Sequence, residues 1–150
     1  MRLAEALQER ADLNRKLSEL RERLQENAVV QEGERPAEDP NELLKEFNSA
    51  AARLEELMAR INRTNTATER DGVSLTELIA RRDVLRLRAQ AYRQLISSAS
   101  QTGRRAMRTE IRVLSAVDVP ALQKEADGIS QEARKTDGLI QELNWSTDLL

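Results

Sequence analysis

Residues 39–72 read DPNELLKEFNSAAARLEELMARINRTNTATERDG. Asp39 can cap a helix, Pro40 suits its first position, and Glu42 stands where a capping box places an acid. From Leu43 the apolar residues recur in steps of three and four: Phe47, Ala50, Leu54, Leu57 and Ile61. Asp71-Gly72 then stops the segment, so the spacing predicts one helix over about 40–68. Near its end the seam turns polar at Thr64, Asn65 and Thr68. A helix that gives up its apolar stripe there must have something polar to receive.

The same reading extends outward. A first helix over about 3–26 carries the seam Leu3, Ala6, Arg10, Leu13, Leu17, Leu20 and Leu24. A third, over about 74–100, opens on the capping box Ser74 and Glu77. Its seam is Leu75, Leu78, Arg82, Leu85, Ala89, Tyr92, Ile96 and Ala99. A fourth, over about 118–143, has Pro120 in its first turn and a seam from Val119 through Leu122, Ala126, Ile129, Ala133, Thr136, Ile140 and Leu143. Sustained three-four spacing predicts lengthwise packing at shallow angles. The short TERDG connection predicts that the second and third helices form an antiparallel hairpin. Residues 109–117 (TEIRVLSAV) alternate in a strand-like way, and 28–32 do so more weakly, so the two are expected to pair as a small β ribbon. The expected fold is mainly α: a single domain over 1–150, an antiparallel long-helix bundle or set of coiled-coil hairpins with a two-stranded ribbon.

Composition agrees and excludes several classes. Aromatic residues make up 2% of the 150 and charged residues 33%, which is the profile of long amphipathic helices. A net charge of −2 gives no global bias toward nucleic acid or membrane. With no Cys and no His there is no disulfide framework, thiol nucleophile or Glu-x-x-His di-metal site, so neither a transition metal nor a cofactor is expected. The glycine-rich phosphate loop and the G-x-S-x-G elbow are also absent from the sequence, and no catalysis is expected. MRLAEALQERADL does not read as a signal peptide, so the expected location is cytoplasmic.

Several polar, non-repetitive stretches are distinctive: LAEALQERADL, VQEGERPAEDPNELL, INRTN, ARRDVL, VDVPALQKE and NWSTDL. With them the chain resembles, over essentially its whole length, the septicolysin-like family of small bacterial proteins. The resemblance brings no catalytic residues. Its name implies a membrane-active, pore-forming protein, in which an amphipathic helix would be the inserting element.

Folding the second helix back on the third would place Asn62, Thr64 and Asn65 near Arg82 and Asp83. A guanidinium at a seam position needs partners, because an unpaired buried charge costs several kcal/mol. Those five residues are therefore the candidate site, for a small anion or nucleotide. The plainer reading is a polar seam that fixes helix register. Arg10 holds an equivalent seam position, and Trp145 with Asp148 suggests a tail docked on a helix or another subunit. Arginines concentrate between Arg81 and Arg112, yet few aromatics accompany them, so nucleic acid is not the expected partner. Thin Leu/Ala seams predict a homo-oligomer, and the expected role is structural, through helical self-assembly.

Overall fold

The computed structural model describes residues 1–101 and 111–150. Among these lie four helices, α1 (Leu3–Glu26), α2 (Pro40–Ala67), α3 (Leu75–Ala99) and α4 (Val119–Ser146), and the strands β1 (Glu69–Arg70) and β2 (Val73–Ser74). The fold is mainly α. Helix starts follow local chemistry. Asp39 accepts from the Asn41 amide at 2.9 Å, and Pro40 fills the first helical position. At α3, Ser74 Oγ accepts from the Glu77 amide at 3.2 Å while Glu77 accepts from the Ser74 amide at 2.8 Å.

The β ribbon exists but is built from other residues than expected. It is β1 paired with β2. Between them Asp71 (φ 55°) and Gly72 (φ 78°) adopt the left-handed pair of a type I′ turn, whose twist suits a two-residue hairpin. The expected strand at 28–32 is a turn and irregular chain, with Gly33 at φ 86°. Residues 111–117 form no strand and are largely exposed, including Ile111, Val113 and Leu114; 109–110 lie outside the described residues. Alternation alone did not suffice, because a strand also needs a neighbour to take its backbone hydrogen bonds.

Contacts divide the chain into two compact units: residues 1–69 with 143–150, and residues 70–142. In the first, α1 and α2 run antiparallel. Lys16 meets Glu46, Arg53 meets Glu9, and Arg23 meets Glu38. Their seam buries Leu3, Ala6, Leu20, Leu43, Ala50, Leu57 and Ile61. Fully buried side chains such as Leu57 and Ile61 each contribute roughly 1.5–3 kcal/mol. The 27–39 connection is clamped: Asn27 donates to the Arg23 carbonyl at 2.8 Å and accepts from the Glu38 amide at 2.9 Å.

In the second unit α3 and α4 run antiparallel around Leu85, Ala89, Ile129 and Ala133, with Tyr92 packed alongside. The Tyr92 hydroxyl donates to Glu125 at 3.0 Å. The antiparallel partners are thus α1 with α2 and α3 with α4. The short connection between α2 and α3 folds into the β1–β2 hairpin.

Candidate functional site

Arg82 sits on the α3 seam, as expected, with its side chain 19% exposed. Of its expected partners Asp83 is engaged, and Asp137 joins it. Arg82 Nε donates to Asp83 Oδ1 at 2.9 Å, and Nη1 reaches Asp137 Oδ1 of α4 at 3.2 Å. Arg86, one turn along, meets the same Asp137 oxygen at 3.2 Å. Burial alone would lower the Arg82 pKa; the hydrogen bonds to Asp83 and Asp137 outweigh it and hold the pKa above its ordinary value. The charge is therefore kept and satisfied within the 70–142 unit. Asp137 was missed in the sequence because its partner is 55 positions away.

Asn62, Thr64 and Asn65 belong to the other unit. Thr64 is fully buried. Its hydroxyl donates to the Arg60 carbonyl at 2.9 Å and accepts from the Leu150 amide at 3.0 Å. Arg60 Nε donates to the Leu150 carbonyl at 2.8 Å. The seam turns polar to receive the backbone of the tail, not a guanidinium. Asn62 is exposed, and Asn65 is half-buried with its Oδ1 unpartnered.

The tail is docked, though not by Trp145, which is 65% exposed. Leu149 is buried instead and donates its amide to the Met1 carbonyl at 2.9 Å. Leu3 donates to the Thr147 carbonyl at 2.9 Å, and Arg2 bridges to Asp148 at 3.0 Å. Asp148 thus serves an intrachain latch, and Arg10 is half-buried on α1.

Two surface features have no assigned occupant. The first is a groove of about 580 Å³ along one side of the α3–α4 seam, walled by Arg86, Arg93 and Arg134. The second is a second apolar stripe on α3. Ala80, Val84, Leu87, Ala91 and Leu95 are all exposed. At 100° per residue they lie on a face roughly opposite the seam. Among the described residues no group of acids is arranged to hold a metal, and no helix is long and apolar enough to cross a membrane.

A family model described as a family of unknown function (DUF6847) matches residues 10–149. No curated protein matches the chain. The fold and sequence are similar to a functionally unknown conserved protein from Corynebacterium diphtheriae whose crystal structure is solved. Identity is 39%, the TM-score is 0.94, and the match covers 100% of this chain and 99% of that one.

Proposed function

This chain belongs to the DUF6847 family of unknown function, and from that starting point we propose that it is a cytoplasmic, non-catalytic interaction protein that self-associates through α3. The second apolar stripe of α3 carries the reading. Val84, Leu87 and Leu95 are large side chains in water on a helix whose other face is already used. The spacing of Ala80, Val84, Leu87 and Ala91 is a heptad seam with Val84 and Ala91 at a, and Ala80 and Leu87 at d.

The occupant is a second copy of α3, running parallel about a two-fold axis. In that register Asp83 at g faces Arg88 at e of the partner helix, twice by symmetry. An antiparallel pairing would instead bring the Arg81 and Arg88 edge against itself.

The test is mass by light scattering across micromolar concentrations. Wild type should run well above the 17.0 kDa chain mass. Leu87→Glu should return it to a monomer with unchanged helicity. Asp83→Arg should weaken the dimer, and adding Arg88→Asp should restore it. A concentration-independent monomer in the wild type refutes the reading. Leakage of anionic vesicles by the wild type, abolished by Leu87→Glu, would instead assign the stripe to membrane.

A further inference from the structure

We infer that the groove between α3 and α4 is a binding site for a linear polyanion carrying two or more phosphate groups. This rests on different residues from the self-association face. The groove is lined by four residues of one α3 face (Arg86, Ala89, Gln90, Arg93) and five of one α4 face, among them Ser130, Arg134 and Gly138. Its floor is small: Ala89 and Ala133 contribute methyl groups, and Gly138 contributes backbone alone. Cationic side chains stand on both walls. Three guanidiniums face one carboxylate, Asp137, and that carboxylate is already shared by Arg82 and Arg86. Among the described residues no ion pair engages Arg93 or Arg134.

The ligand class follows from spacing. Arg86 and Arg93 are seven residues apart, two turns or about 10 Å along the helix. One phosphate can accept from more than one guanidinium, but side chains rooted about 10 Å apart on one wall, with Arg134 on the other, are matched by charged groups set in a row. The lining contains no aromatic side chain, so a nucleobase finds no stacking surface there. Recognition is of the phosphate chain itself, with Gln90 and Ser130 as neutral donors. The volume lies within the range of small-molecule sites.

The experiment is titration calorimetry with inorganic tripolyphosphate at moderate salt, with ATP as a second probe. Wild type should give saturable binding with one site per chain. Arg93→Gln and Arg134→Gln should each weaken it about tenfold or more, as loss of a charge-assisted hydrogen bond does. Arg63→Gln, an exposed arginine of the other unit, should leave it unchanged. Gly138→Leu keeps every charge and fills the floor. Nothing lies within 4 Å of where a Cβ would stand at this position, so the variant should fold and yet fail to bind. ATP should bind no tighter than tripolyphosphate. Absence of saturable heat overturns the inference, as does equal weakening by Arg63→Gln, or full binding by Gly138→Leu. The first proposal is decided by mass without added anion, so the two can fail separately.

Discussion

Thr64→Val keeps the shape of the side chain and removes only its hydroxyl. Two hydrogen bonds go with it, to the Arg60 carbonyl and from the Leu150 amide. The first matters little, because a helical carbonyl at that position already accepts the backbone amide four residues on. The second leaves the part-buried Leu150 amide without an acceptor, in the lower part of the about 1–3 kcal/mol that a buried donor would cost. A methyl in place of a hydroxyl in a fully buried site recovers part of this. The net loss should be about 1–2 kcal/mol, or roughly 3–6 °C in Tm for a chain of this size. Thr66→Val is the matched control. Thr66 makes the same bond back to the Asn62 carbonyl, at 3.0 Å, but is exposed, so its loss should stay within about 0.5 kcal/mol. Both substitutions keep a β-branched side chain, so helix propensity cancels. Urea melts followed by circular dichroism give the stabilities, and hydrogen exchange at Leu150 reports the latch directly. Equal losses for the two variants, with Leu150 exchange unaltered, would refute the assignment of Thr64 as the receiver of the tail.

Two further outcomes follow from the ion pairs. Arg82→Met should cost under about 1 kcal/mol, since Met keeps the stem and Asp137 retains Arg86; Asp137→Leu should cost about 1 kcal/mol more, because it strips a carboxylate from two arginines at once. Comparable thermal melts for the two would show that Asp137 is not the shared anchor. Hydrogen bonds from Arg53 to Glu9, from Arg23 to Glu38 and from Lys16 to Glu46 lower the pKa of each acid below 4.5. A lowered folded-state pKa gives stability that is present above the unfolded value and lost as pH falls through the folded one. With no His in the chain, Tm should be flat from about pH 5 to 8 and fall only below pH 4.5; a transition near neutrality contradicts this.

Much of the fold was legible because helix starts are local chemistry. Asp39-Pro40 and Ser74-x-x-Glu77 announce α2 and α3 within a few residues of sequence. The polar break at Thr64 was equally visible, and its meaning was not. What it receives is a backbone amide 86 positions away, and a backbone amide has no sequence signature. Arg82 offered a side-chain partner instead, on the assumption that a short connection makes neighbouring helices pair. Asp71-Gly72 is a strong hairpin signal, but two-residue strands of Glu-Arg and Val-Ser are too short to show a period. The groove had one visible trace, the four- and seven-residue spacing of Arg82, Arg86 and Arg93. Its other wall, Arg134 and Gly138, comes from a helix that only tertiary structure brings alongside.

The latch has a consequence for how the chain is made. The unit built on α1 and α2 borrows residues 143–150, so it stays incomplete until residues 70–142 have passed through the ribosome. At about 5–20 residues per second that interval lasts roughly 4–15 s. Throughout it Thr64 has no amide to accept and Leu149 is not yet there to bury. The sequence order therefore sets an order of assembly: the α1–α2 unit cannot close before Leu149 and Leu150 have been synthesised.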